Sequence, residues 1–398
     1  MSPSRTALLS ILLLLGVSDA FKLSDTENAV LQDSCGREMK VSHYSRKVLN
    51  GTAANSGEAP WVVPVYLSTT DKQTKTIYTT GTLISDHHLL TYDSLFLANT
   101  TDGIKFRHNL GPLGDLNCKG HDLILPYHLV KRVSVFMDIL KATEIKGSKQ
   151  LQVRSVTVLD GCKQPFKLNR VALVELTKPI VREQKGRPIC TPCLNSNHPQ
   201  HYGFYGFGDN RGDVIDATLR HTQLTITPCN PVDETFETFC AKSQQPLCNG
   251  DFGGAAVRKI GNHVKAFGIY VGGPYECSKA NKDTIFTFAN LTTITGKVCD
   301  WTGICEVAPR TSKPSETSTT LDPSSDATQD NNGTTETGMT ASPEGSVNGN
   351  TNGNRTCVRY SDEDDDVHIT IKLGEFKRTG DKKNIVQEIR GPISHIEL

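Results

Sequence analysis

The chain has 398 residues, 43 basic against 43 acidic side chains, 36% hydrophobic residues and 12 cysteines. Zero net charge excludes a global electrostatic footprint for nucleic acid or an anionic membrane, and the length sets one large or two ordinary domains. Twelve cysteines are many for a reduced cytosolic protein and too few for a small knotted scaffold, which favours an oxidising compartment.

Residues 1–20 read as a secretory signal peptide. Arg5 gives a positive flank, residues 7–17 form an apolar run broken only by Ser10 and Gly16, and Ser18 and Ala20 are small residues where a signal peptidase reads. The run is shorter than the ~20 residues needed to cross hydrocarbon, and no later segment reaches that length, so membrane insertion is not expected. Sequons at Asn50, Asn99, Asn290, Asn332 and Asn354 agree with export and mark candidate glycosylation positions.

From about residue 48 to residue 305 the apolar pattern has period two far more often than 3.6. Trp61, Val63 and Val65 alternate, as do Leu151 with Val153 and Val156 with Val158, while 171–176 and 266–271 are short apolar runs bounded by turn residues. Gly261-Asn262 reads as a hairpin turn. The good helix candidate near the end is 291–302, where Thr295, Val298 and Trp301 share one side and Asn290 can cap the start. Many short strands with a late helix predict an all-β sandwich or a pair of barrels.

Beyond this domain the composition changes. Of the 49 residues 308–356, 18 are Ser or Thr, and only Leu321, Met339 and Val347 are sizeable apolar groups. Their burial could not offset an ordering cost of ~1–2 kcal/mol per residue, so a disordered, O-glycosylated stalk is expected. A tail follows, with an acidic run at 362–366 and a strand-like alternation at 367–373.

Four segments stand in one order: Gly81-Thr82-Leu83-Ile84-Ser85 with Leu89-Leu90-Thr91; Val171-Ala172-Leu173-Val174-Glu175-Leu176 with Lys178-Pro179; Pro188-Ile189-Cys190; and Cys248-Asn249-Gly250-Asp251-Phe252-Gly253-Gly254 with Gly268-Ile269. Together they resemble the trypsin-like serine peptidases over residues 48–305, and the last copies the family's Gly-Asp-Ser-Gly-Gly with one replacement. The ending Cys299-Asp300-Trp301-Thr302-Gly303-Ile304-Cys305 looks like the trypsin-like proteins of unknown function that are numerous in nematodes. The resemblance implies an all-β fold of two six-stranded β-barrels meeting at a cleft, closed by a C-terminal helix. It divides the chain into a signal peptide (1–20), a pro-segment-like region (21–47), the trypsin-like domain (48–305), a disordered Ser/Thr-rich linker (306–356) and a tail (357–398).

The same resemblance assigns the chemistry. Arg46-Lys47 before Val48 is similar to a zymogen activation site, whose new amine, here that of Val48, would pair with Asp251 and shape the oxyanion hole. The family's triad needs a Ser nucleophile, a His to take its proton and a buried carboxylate to orient that His. Those positions fall on Phe252, Ser94 and Arg170, so the catalytic set is empty. His87 and His88 precede Ser94 by six or seven residues, but the flanking Leu83-Ile84-Ser85 and Leu89-Leu90-Thr91 frame holds the alignment in place. The N–H groups of Gly250 and Phe252 correspond to the oxyanion hole, which a bulky Phe should obstruct. Pro246 stands where trypsin has its pocket acid.

The resemblance also implies the bridges Cys35–Cys190, Cys229–Cys240 and Cys248–Cys277. The family's bridge beside the catalytic His has lost both ends, to Thr79 and Leu95, and Cys118, Cys162, Cys193, Cys299, Cys305 and Cys357 have no template. A zinc site at Cys190 and Cys193 with His198 and His201 is outweighed by the disulfide precedent, and Arg211-Gly212-Asp213 in a surface loop is an integrin-type triplet that recurs by chance. The expected function is that of a secreted pseudoprotease without cofactor or metal, resembling non-catalytic homologues in extracellular cascades and innate defence, with an unidentified extracellular protein as partner. The alternatives are an active serine-type endopeptidase with a non-standard site and a secreted structural or adhesive glycoprotein.

Overall fold

A computed structural model describes residues 20–37, 52–68, 77–101, 103–107, 116–145, 148–163, 167–181, 186–208, 217–229 and 237–306. All belong to the first of two units of the chain, 1–307; the second, 308–398, lies outside the described residues, as do residues 1–19, Lys47, Val48, Asn50 and the Arg211-Gly212-Asp213 triplet. The expectations of a signal peptide, an activation site, a disordered linker and a tail strand therefore fall on undescribed residues.

The period-two segments form two closed six-stranded antiparallel barrels. The first contains β1 (Val62–Leu67), β2 (Ile77–Leu83), β3 (His88–Tyr92), β4 (Val133–Phe136), β5 (Gln150–Val158) and β6 (Val171–Leu176), in ring order β6-β3-β2-β1-β4-β5 with β5 pairing back onto β6. The second contains β7 (His201–Gly206), β8 (Arg220–Thr227), β9 (Thr238–Ser243), β10 (Ala255–Ile260), β11 (His263–Gly272) and β12 (Ile285–Asn290), in order β8-β7-β10-β11-β12-β9, closed by β8 on β9. Closure leaves neither ring an unpaired edge.

Several sequence patterns acquire physical causes here. The alternations at 151/153 and 156/158 are out of phase because they belong to one strand, β5, whose register against β6 shifts between Val153 and Ser155. β1 and β6 are buried along their whole length, so the half-exposed alternation expected around Val63 becomes a continuous apolar strand. Ile260 pairs with His263 across a two-residue turn whose first residue, Gly261, has φ +58°, a conformation glycine adopts without penalty. The two interiors differ in chemistry. Val63, Val65, Leu89, Val156 and Val174 fill the first barrel, whereas Tyr202, Phe204, Phe239, Phe267, Phe286 and Phe288 fill the second.

Among the described residues, two helices of ten or more residues flank the barrels. α1 (Asp25–Ser34) starts with a capping box in which the Ser24 hydroxyl accepts from Glu27 N and the Glu27 carboxylate accepts from Ser24 N. α2 (Leu291–Thr302) is capped by the Asn290 side chain and ends at Gly303, φ +74°, in the left-handed conformation of a helix C-terminus. The segment carrying α1 is strapped to the domain through Leu23 N to Thr302 O (2.8 Å), Val264 N to Gly36 O (2.8 Å) and the Cys35–Cys190 disulfide.

Candidate functional site

The segment 250–254 runs from the second barrel against β2 of the first, and threonine hydroxyls hold it there. Thr79 Oγ1 donates to Phe252 O, Thr80 Oγ1 to Gly250 O (2.7 Å) and Thr82 Oγ1 to Gly253 O (3.2 Å), while Thr80 N also donates to Phe252 O (3.0 Å). The approach is so close that a Cβ on Gly253, φ +84°, would stand 2.1 Å from Thr80 O. Only glycine fits there. The Cys248–Cys277 disulfide fixes the start of the segment, and Asp251 Oδ1 and Oδ2 accept from Gly208 N (2.7 Å) and Cys248 N (3.0 Å).

This scaffold presents Phe252 inward, at 5% exposure. Its ring stacks on Tyr270, with centroids 4.4 Å apart and planes 7° from parallel, and on Tyr92, at 4.8 Å and 19°; Tyr275 lies 6.5 Å away and is itself half exposed. Tyr270 is fully buried, and desolvation holds its phenol well above the ordinary range. Its hydroxyl occupies the space beside Gly273, where a Cβ would approach it to 2.4 Å. Phe252 thus joins the aromatic core of the second barrel. The N–H groups of Gly250 and Phe252 have no backbone acceptor among the described residues.

Ser94 and Arg170 lie beside this stack. Ser94 is buried in a single 3-10 turn, Asp93–Leu95, and its hydroxyl donates to Asp93 Oδ1 (3.2 Å). Asp93 N donates to Arg170 O (3.0 Å), Asn169 N to Asp93 Oδ1 (3.2 Å), and Tyr92 OH to Asn169 Oδ1 (2.9 Å). The three positions that the resemblance assigns to the triad are therefore on adjoining segments, carrying a hydroxyl, a guanidinium and a phenyl ring. None of these takes a proton from a nucleophile at neutral pH. The Arg170 guanidinium is turned away, Nε donating to Lys167 O (3.0 Å). Asp93 is fully buried, and desolvation raises its carboxyl to about 7 against the opposing pull of its hydrogen bonds to Arg170, Ser94 and Asn169.

Neither histidine of the His87-His88 pair reaches the stack. In the β3–β6 register Tyr92 faces Val171 and His88 faces Glu175, which separates them by four residues, roughly 13 Å along the strand. Burial, and then the neighbouring His87, lowers the His88 imidazole to about 4, so it is neutral at physiological pH.

Cys35–Cys190, Cys229–Cys240 and Cys248–Cys277 are bonded, and Cys118–Cys162 and Cys299–Cys305 are bonded as well. Cys193 is also in a disulfide; with Cys190 bonded to Cys35, the thiolates that a zinc ion would need at this pair are consumed. Thr79 and Leu95, where the family's missing bridge would lie, are buried, Thr79 now serving the elbow. Pro246 is exposed. Of the candidate glycosylation positions among the described residues, Asn99 is exposed on the short strand Leu97–Thr100, and Asn290 is 9% exposed, its Oδ1 accepting from Thr292 N (3.0 Å) and Thr292 Oγ1 (2.8 Å). Sequence reasoning missed Tyr92, Tyr270 and the Thr79/Thr80/Thr82 ladder, whose roles depend on contacts between distant segments; the run of threonines in β2 was the one local signal.

Comparison with known proteins agrees with this geometry. The family described as "Nematode trypsin-6-like family" matches residues 6–305. Among curated relatives, Transmembrane protease serine 11C of Mus musculus is 23% identical over 291 residues, which is 68% of this chain and 58% of that protein. The chain thus spans less than two thirds of that relative's length. Among the described residues, no helix is long and apolar enough to cross a membrane.

Proposed function

The chain belongs to the nematode trypsin-6-like family, and from that membership we propose that the protein is a secreted trypsin-fold pseudoprotease that binds another extracellular protein rather than cleaving it. One observation carries this reading. Phe252 stands at the elbow and is stacked on Tyr270 and Tyr92 at 4.4 and 4.8 Å. A scissile carbonyl would need both a nucleophile at this point and the volume the ring now fills. The chemistry of the neighbours supports the same conclusion, because Ser94 and Arg170 cannot act as base and orienting carboxylate. Loss of the nucleophile or the base in a comparable protease costs about 10⁶ in turnover, on the order of 8–9 kcal/mol of transition-state stabilisation.

Export is supported by the leader-like residues 1–20 and by the disulfides on the described residues. A regulatory or decoy role is the one a closed peptidase scaffold can perform without chemistry, through its surface loops. The test is labelling of the secreted protein with a serine-directed fluorophosphonate, before and after treatment with proteases that cut after basic residues. No labelling is expected in either state; stoichiometric labelling of a mapped serine would overturn the proposal.

A further inference from the structure

The segment before α1 ends in a receptor that the peptidase-like chemistry does not use. Phe21 N donates to Glu175 Oε1 at 2.9 Å, and Phe21 O lies 3.0 Å from His88 Nε2. The Phe21 ring stacks on His87 with centroids 3.9 Å apart. Glu175 is buried near the end of β6, its Oε2 accepting from Ser155 Oγ (2.8 Å) and its Oε1 also meeting Arg154 Nη1 (3.1 Å). Ser85 Oγ accepts from His87 N and His88 N, which directs its own proton to His88 Nδ1, 2.8 Å away. His88 must then carry its proton on Nε2 and donate it to the Phe21 carbonyl. The three groups meet the nitrogen, the carbonyl and the ring of one residue, each with the complementary chemistry.

An amide offers this carboxylate one hydrogen and no charge, whereas an ammonium offers three hydrogens and a full positive charge. The leader-like segment 1–20 ends at the residue before Phe21. Hydrolysis of the Ala20–Phe21 bond by a secretory-pathway endopeptidase consumes one water, leaves a carboxylate on Ala20 and frees an amine on Phe21, which takes up a proton. We infer that this new α-ammonium docks on Glu175, so that removal of the leader locks the mature N-terminus onto the first barrel through Glu175, His88 and His87. The inference rests on the export reading. The lock closes a strap that continues through Leu23 to Thr302, through α1 and on to the Cys35–Cys190 disulfide.

The charged and titratable groups around the amine are Glu175 and Arg154 on β6 and β5, His87 and His88 at the start of β3, and Glu27 in the first turn of α1, which acts electrostatically on His87. An α-amine ordinarily titrates near 7.7–8.0, and docking on a carboxylate raises that value in the folded state. The added stability is therefore complete below about pH 7.7 and is lost as pH rises through the folded value.

Three measurements on the secreted full chain test this. Intact-mass analysis should find Phe21 as the first residue. Its Tm at pH 6.5 should exceed by about 2–4 °C that of a chain processed to leave Gly-Ser ahead of Phe21, with the gap closing above about pH 9. Glu175→Gln should abolish the gap; because that change also strips Arg154 of its carboxylate, the comparison of native and extended chains stands independently of it. A different first residue would overturn the inference together with the proposed cleavage. Phe21 as first residue with equal or pH-independent Tm values would overturn the docking and leave the export reading intact.

Discussion

At position 252, where the resemblance puts a serine, stands a phenyl ring that the aromatic interior of the second barrel absorbs. Phe252→Ser should therefore leave a cavity against Tyr270 and cost about 3–5 kcal/mol in urea unfolding, while conferring no peptidase activity, because positions 94 and 170 still lack a base and its carboxylate. Phe252→Leu should cost less than half as much. At Asp93, burial raises the folded carboxyl to about 7 from an ordinary value near 4. The folded state then binds the extra proton between those values, so this residue makes the protein less stable as pH rises from about 4 to 7. His88 acts in the opposite sense. Its folded value is depressed to about 4 from about 6.5, so its contribution is present above 6.5 and lost as pH falls through 4. Asp93→Asn removes the first effect alone. The variant's Tm should rise more steeply with pH between 4 and 7 than the wild type's, and parallel profiles would contradict the assignment. The motif frame assigns positions 94, 170 and 252 to the triad, and the structure shows Ser94, Arg170 and Phe252 on adjoining segments. The stack that consumes Phe252 was not legible from the motifs, because Tyr92 and Tyr270 are 160 and 18 residues away in sequence.

At the level of elements, local signals were mostly sufficient. The α2 boundaries and its Asn290 cap follow from an apolar face and a capping side chain, and the structure places the helix over Leu291–Thr302. The Asn290 sequon overlaps this cap, its side chain 9% exposed and engaged through Oδ1 with Thr292. Asn290→Ala should destabilise the protein by about 1 kcal/mol, and glycopeptide mapping of the secreted chain should find a glycan on Asn99 and none on Asn290. A glycan on Asn290 would require the start of α2 to be rebuilt. α1 was not anticipated, although Ser24 and Glu27, the two ends of a capping box, are its local signal; a short helix ahead of the barrels has no motif of the trypsin-like kind to point to it. The bulge in β5 is the counterpart in the strands: two out-of-phase alternations with Arg154 between them, whose guanidinium meets the buried Glu175.

For the molecule as a whole, two closed barrels and five disulfides among the described residues give a scaffold that does not depend on catalysis to persist. Four motif segments in order sufficed to anticipate the barrels, because each motif lies where a strand or the elbow meets its neighbour across the ring. The sharing of work between an aliphatic and an aromatic interior could not be read in the same way. It depends on which strands close together, and that is decided by the pairing of β5 with β6 and of β8 with β9. The same closure brings β2 against the elbow, and with it the threonine hydroxyls that hold Phe252 inward. The most direct test of this account is peptide hydrolysis, assayed over a broad substrate library with the purified secreted chain beside its Ser94→His/Arg170→Asp/Phe252→Ser triple variant. The account predicts no turnover by the native chain above the uncatalysed rate, whatever the triple variant does. Native turnover that survives purification and is abolished by substituting a residue of the Tyr92–Phe252–Tyr270 cluster would contradict it.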